Sequence, residues 1–229
     1  MALRVITPPS VEPIALADAK LHARVDDDTS DSLFNILISS ARIHGERLTR
    51  RAFVTQTLQL TLDRFPTGYA PGSIVGNFPG FPRIYPNTLR RLYSRQLIEL
   101  PNPPLQSITS VQYVDTTGAT QTLAPTAYLL VNDSDTTPPF IVPAYGTSWP
   151  DTQDIPNCVV ITYVVGWPLD NMGAPTTPQA IQAWMLVRVT GLYGQRENFV
   201  IGTIRKGLLQ MDRSFVDCLL DPYAIVEVI

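Results

Sequence analysis

The sequence predicts an α+β fold: a small helical domain built from N- and C-terminal helices, with a β-rich antiparallel insertion between them. Three observations predict it. Apolar residues recur at helical spacing from about Ser30 to Thr49 and again from Gln179 to about Tyr193. Between these stretches the period falls to two, most plainly over residues 55–62. The 21 prolines gather between periodic segments, at Pro8-Pro9, Pro66 to Pro86, Pro101 to Pro104, Pro138-Pro139 and Pro143. A fixed φ and a missing N–H suit strand ends and loops. The expected division is an N-terminal helical part over 1–52, a β-rich insertion over 53–168 with an extended arm at 65–95, and C-terminal helices with a binding tail over 169–229.

Residues 1–12 read as extended. A short helix then follows Pro13, with Leu16, Ala17 and Leu21 at helical spacing and its end near Ala23. The run Asp26-Asp27-Asp28 before Thr29-Ser30-Asp31 reads as a helix start, supplying capping oxygens and negative charge at the positive end of the dipole. In the long helix that follows, Leu33, Leu37 and Ala41 recur every four residues beside Phe34 and Ile38, and Leu48 continues the face. Arg42, Arg47, Arg50 and Arg51 gather toward its C-terminal half, as the dipole prefers.

Leucines 58, 60 and 62 alternate with residues 57, 59 and 61, the pattern of a half-buried strand. Further strands are expected over 96–100, 108–114, 120–123, 128–131, 140–142 and 158–165, as one antiparallel set. Asp115-Thr116-Thr117-Gly118 supplies a hairpin turn. The 158–165 strand is apolar at almost every position and is therefore expected at the centre. Helices resume after Pro175-Thr176-Thr177-Pro178. Ile181, Trp184, Met185, Val189 and Leu192 form a wide apolar face, Gly194 reads as the residue just past the helix end, and a shorter helix is expected over about 204–211.

Charged residues make up 16% of the 229, below the roughly 25% of an average soluble chain, while hydrophobic residues reach 45%. A chain with that balance hides surface against partners. A net charge of −3 gives no sign of a whole-domain electrostatic grip on DNA. The N-terminus lacks a signal peptide's apolar region, and no run reaches the roughly 18 apolar residues of a membrane span, so the chain is expected in a cytoplasm or in a particle assembled there. Cys158 and Cys218 sit in apolar contexts and read as buried thiols.

The sequence offers no chemistry of the usual kinds. His22 and His44 lie on different helices, without metal-ligand spacing. No Gly-x-Ser-x-Gly, phosphate-cradling glycine loop or Cys-x-x-Cys occurs. Asp26 to Asp28 read as helix-start charges, and Asp133 and Asp135 as turn residues. No enzyme, metal or cofactor is implied.

Residues 65–95 carry Arg83, Arg90, Arg91 and Arg95 and no acidic residue, so this segment is +4 and the remainder of the chain −7. Phe65, Tyr69, Phe78, Phe81, Tyr85 and Tyr93 are interspersed. Three readings stay open: a grip on another protein chain, an arm packed on its own domain, or the lining of a DNA channel.

Small features in order resemble the head–tail connector adaptors of tailed phages, also found in prophages and gene transfer agents. They are Pro13 through Asp26; Glu46-Arg47-Leu48-Thr49-Arg50-Arg51-Ala52; Thr55-Gln56-Thr57; Ile98 through Leu105; Tyr113-Val114-Asp115; Val160 through Gly166; Tyr193-Gly194-Gln195-Arg196-Glu197; and Leu219-Leu220-Asp221-Pro222-Tyr223. The 65–95 segment reads as an insertion relative to shorter members, so its role does not carry over.

The resemblance implies a structural virion protein of the neck, assembled in the host cytoplasm. It would form a homo-oligomeric ring, commonly of about twelve subunits, below the portal protein. The ring would continue the DNA channel without sequence-specific binding and dock the next neck or tail protein; no membrane is involved. The resemblance assigns portal binding to Leu219, Leu220, Pro222, Tyr223, Ile225 and Ile229. The alternative for this closing segment is packing on the chain's own helices. Arg83, Tyr85, Arg90, Arg91, Tyr93 and Arg95 are the candidate subunit-interface or channel residues. Alternatives are a tail-completion or baseplate component, a hydrolase with a carboxylate pair, and a DNA-end-binding protein.

Overall fold

The computed structural model describes residues 1–66, 96–132, 137–194 and 216–225. In chain order these contain β1 (Ala2–Thr7), α1 (Leu16–Ala23), α2 (Asp31–Thr49), β2 (Gln56–Leu62), β3 (Ile98–Glu99), β4 (Leu105–Val114), β5 (Thr120–Thr122), β6 (Tyr128–Val131), β7 (Phe140–Pro143), β8 (Val159–Val165) and α3 (Gln179–Gly194). Single 3-10 turns stand at Pro125–Ala127 and Asp221–Tyr223. The α+β class holds, with the helices at the two ends of the chain and most strands between them. The helix expected over 204–211 lies outside the described residues.

The strands form two antiparallel sheets rather than one set. Five strands are ordered β1-β2-β8-β4-β5, and three are ordered β3-β7-β6. The split follows from the short segments around Pro101 and Pro139: β3 has two residues and pairs only with β7. Strand β8 is central, as its apolar run requires, with Val159, Ile161, Tyr163 and Val165 buried on one face. Strand β1 joins the five-stranded sheet beside β2, so the N-terminal segment lies in the sheet and not with the helices.

One apolar cluster fills the β-rich part. Leu58, Leu60, Val111, Ile161 and Tyr163 from the larger sheet meet Ile98, Leu100 and Ile141 from the smaller sheet and its flank. A second cluster packs α1, α2 and α3 together through Ala19, Phe34, Ile38, Ala41, Ile181, Trp184, Met185 and Val189. Several expected positions differ. In α1 it is Ala19 that turns inward, while Ala17 and Leu21 are exposed. In α2 the buried line is Phe34, Ile38, Ala41, Gly45, Thr49, which leaves Leu48 outside. Gly45 sets that line: a Cβ there would stand 2.5 Å from Phe53 and 2.9 Å from Trp184, so the rings lie directly on the helix backbone. Leu192 at the end of α3 is exposed, and Gly194 is its last helical residue. Cys158 is buried but Cys218 is exposed, at the short turn that closes the chain.

The acidic run before α2 works through a cation rather than a cap. Ser30 makes no side-chain cap bond. The Lys20 ammonium on α1 instead sits 2.6 Å from Asp28 and 2.7 Å from Asp31, tying the two helices. These bonds push Lys20 well above the usual lysine range.

The helices and the sheet meet at residues 45–56. Glu46 accepts hydrogen bonds from the Phe53 backbone N–H at 2.9 Å and from Gln56 Nε2 at 3.1 Å. Its other oxygen pairs with Arg42 at 3.1 Å, and Arg42 Nε reaches Glu12 at 2.8 Å. Thr177 Oγ1 donates to Phe53 O at 2.6 Å from the far side. Gly166, at the end of β8, has φ +99°, and a Cβ there would stand 2.0 Å from Val54 O. Only glycine permits that approach without moving backbone.

Two outcomes are expected. Gly166→Ala should lower the free energy of unfolding in urea by about 3 kcal/mol or more, because both the positive φ and the clash must be relieved. Burial raises the Glu46 carboxyl above its ordinary 4.5, against the pull of Phe53 N–H and Arg42. A raised folded value means that folding binds a proton, so this contribution to stability grows as pH falls through the window above 4.5. The stability margin of the wild type over Glu46→Gln should therefore widen between about pH 7 and pH 4. A margin that narrows would show that pairing with Arg42 outweighs burial.

Candidate interaction surface

The closing segment is placed by the helical core. Asp217 Oδ1 accepts the Trp184 indole N–H at 3.0 Å, which brings the chain back over α3. Leu220 is then 3% exposed inside the helical cluster. Pro222 follows Asp221 in the opening of the 3-10 turn, where its missing N–H costs little. The Tyr223 ring meets Trp167 edge-on at a centroid distance of 6.1 Å, and its carbonyl accepts Arg51 Nε at 2.5 Å. Ile225 N–H donates to Thr49 O at 3.0 Å. The six residues singled out for a partner therefore divide. Leu220 is part of the core, Tyr223 and Ile225 are half-buried against their own domain, Leu219 and Pro222 are exposed, and Ile229 lies outside the described residues. Two of the six thus point outward in the isolated chain, because this stretch also closes the helical core.

Arg83, Tyr85, Arg90, Arg91, Tyr93 and Arg95 lie outside the described residues. The two feet of the segment that carries them are described, and one residue holds both. Phe65 stacks on Trp149 at 4.9 Å with ring planes 5° apart, and Trp149 Nε1 donates to Gln96 O at 2.6 Å. Tyr113 packs edge-on against Phe65 from the sheet. The described residues that flank 67–95 are thereby fixed side by side on the β-rich core. A depression of about 390 Å³ opens there, between Arg64, Phe65, Gln96 and Trp149 on one side and Asp151 and Asp154 on the other. Sequence reasoning missed Trp149, whose Ser-Trp-Pro context looks like loop.

Among the described residues, no buried side-chain nitrogen or oxygen lacks a hydrogen-bond partner. His22 Nδ1 lies 2.7 Å from Thr190 Oγ1, and His44 stacks on Trp184. Asp115 receives Thr117, Gln121 and the Ala119 N–H within its own hairpin, and these bonds hold its carboxyl down at about 2. Asp27 binds Thr29 in the same manner, and those bonds lower it. Among the described residues no group of three or more His, Cys, Asp or Glu side chains could hold a metal ion. No described helix is long and apolar enough to cross a membrane.

Large apolar side chains also stand on the surface. Leu3, Val5 and Ile6 on β1, Ile36 and Ile43 on α2, Leu129 and Leu130 on β6, and Met172 are all exposed. Ile36 and Ile43 stand seven residues apart, on the outer stripe of α2. A groove of about 630 Å³ runs between residues 11–16, Asn35 and Ile38 of α2, and the turn at 172–175. That β1 is extended was legible in sequence. That both of its faces would stay open was not, because burial depends on what lies above the sheet.

The fold recurs in chains of gene transfer agent particles. A chain from the neck of the empty particle, computed with C6 symmetry, superposes with a TM-score of 0.69 at 18% identity, over 100% of this chain and 98% of that one. A chain from the virion of the native particle gives 0.68 at 17%, with the same coverage. A chain from the native neck, computed with C12 symmetry, gives 0.64 at 16%, again over 100% and 98%. No protein-family model matches the sequence, and no curated protein does. At these identities the likeness is one of fold, spanning both chains nearly end to end.

The Trp149 clamp predicts a graded response. Trp149→Ala should destabilise the fold by about 3 to 5 kcal/mol in urea denaturation. Trp149→Phe keeps the stack on Phe65 but loses the bond to Gln96 O, and should cost about 1 kcal/mol. Equal losses for both would show that the stack contributes little.

Proposed function

We propose that this chain is a structural subunit of a virion neck, the head–tail connector adaptor. It would form a homo-oligomeric ring below the portal, extend the DNA channel and dock the next neck or tail protein. The observation that carries this reading is the whole-length fold match to neck chains of gene transfer agent particles. The ordered features quoted from Pro13 to Tyr223 point the same way independently of the fold. The physical character of the surface agrees: large apolar side chains stand exposed on several elements, as expected of a part that buries itself in an assembly.

The mechanism on this reading is assembly by burial. Copies join head to tail around a closed ring, and each repeats one modest contact to the portal, so that affinity accumulates without any single tight site. The portal contact falls to Leu219 and Pro222, which face outward, and to the apolar residues up to Ile229. Leu220, Tyr223 and Ile225 hold that segment on the helical domain. The segment carrying Arg83, Arg90, Arg91 and Arg95 reaches a neighbouring copy or the channel from the Trp149 clamp.

Mixing the full chain with portal rings of the same particle and imaging the product by cryo-electron microscopy tests the proposal. A ring of this chain under the portal is expected. Deletion of residues 226–229 should weaken portal binding at least tenfold while leaving the circular dichroism spectrum and thermal midpoint unchanged. Intact portal rings that stay bare would overturn the adaptor reading in favour of a tail or baseplate position.

A further inference from the structure

Rows of buried side chains run across both sheets, and three of them end in the open. Across the larger sheet, Val111 faces Ile161, Ile161 faces Leu60, and Leu60 faces Leu3. The first three are at most 1% exposed, but Leu3 is 41% exposed. The adjacent row runs through Ile108, Tyr163 and Leu58 to Val5, which is 51% exposed. In the smaller sheet Ile98 and Ile141 are buried, and their row ends at Leu130, which is 39% exposed. In each case the core face of a sheet continues one strand beyond what the chain itself covers.

The strands at which these rows end, β1 and β6, are both edges, and among the described residues no strand pairs with their outer sides. An edge offers unpaired N–H and C=O groups, which a further strand can satisfy. The other two edges differ. At β5 the residues are Thr120, Gln121 and Thr122, and Gln121 is bonded to Asp115. At β3 the row ends in Ile98, which is already buried. Apolar side chains at an open edge are what proteins ordinarily avoid, since such edges aggregate. Here there are two of them, on different sheets.

We propose that β1 of one copy is covered by β6 of the next copy, joining the two sheets across the subunit boundary. The inference rests on the ring reading above and names the strands that would make its contact. A second copy is the occupant because each edge carries an apolar core-face row and lacks a strand to cover it, which the other edge can supply. A contact between two different patches is heterologous, and repeated by rotation it closes a ring and leaves neither of these two edges open. The sixfold and twelvefold particles that hold chains of this fold provide such a rotation. A strand from an unrelated protein would satisfy one edge of each copy and leave the other exposed. A symmetric β1–β1 contact would do the same for β6.

The test uses the full chain assembled on portal rings. The double variant Leu3→Lys/Val5→Lys should keep its circular dichroism spectrum and thermal midpoint, since both residues are already exposed, and should fail to form rings. Leu130→Lys should fail in the same way. In a Cys218→Ser background, Val5→Cys chains mixed with Leu130→Cys chains should give a cross-linked dimer with a short bismaleimide, and neither chain alone should do so. Rings that form normally with the lysine variants would overturn the inference and leave the ring reading standing. So would a Val5→Cys chain that cross-links to itself, or only to the portal. Wild-type chains that form no ring would remove the ring reading itself.

Discussion

The fold turns on Glu46. It sits one turn before the end of α2, and one of its carboxylate oxygens holds both the Phe53 backbone N–H and the Gln56 side chain. That places the chain's exit from the helical domain and its entry into β2 within a few residues of each other. Arg42 supplies the opposing charge and carries the connection on to Glu12. A carboxylate this enclosed is costly unless its lone pairs are filled, and here the filling groups are the ones that set the direction of the sheet. Gly45 on one side and Gly166 on the other remove the side chains that would keep Phe53 and Val54 from fitting.

From that junction two cores grow in opposite directions. The helical core is closed by residues from both chain ends: Ile14 and Ala19 early, Leu220 late. The β core is closed by the smaller sheet and by Trp149, which also fixes the feet of the arm. One consequence links packing to the proposed function. Residues that a partner could use and residues that hold the domain together alternate along the closing segment, so that a rigid base carries the exposed Leu219 and Pro222. A docking element built this way loses little conformational freedom on binding.

The surface makes the same point from another side. Asp27, Asp28, Asp115 and both histidines are engaged in turns, a helix junction and ring contacts, and a good part of the exposed surface is apolar. It lies at strand edges and on the outer stripe of α2, where an isolated chain gains nothing from it. An assembly subunit is the kind of molecule for which that distribution is favourable.

By itself the sequence determined the local elements. The 3.6-residue and two-residue periods locate α1, α2, α3 and most of the strands, because periodicity reports which side of an element avoids water. The near-continuous apolar run of 159–165 revealed a central strand, and the Asp115–Gly118 turn revealed the β4–β5 hairpin. What only the tertiary structure decided was where those faces end up. Whether Leu48, Leu21 or Leu3 is covered depends on a neighbour far along the chain: on Gly45 letting Phe53 and Trp184 settle elsewhere, or on the smaller sheet stopping short of β1. The division into two sheets, the burial of Leu220 and the role of Trp149 are of the same kind. Each is a contact between residues tens of positions apart, and a local pattern records that a side chain seeks cover, not which partner supplies it.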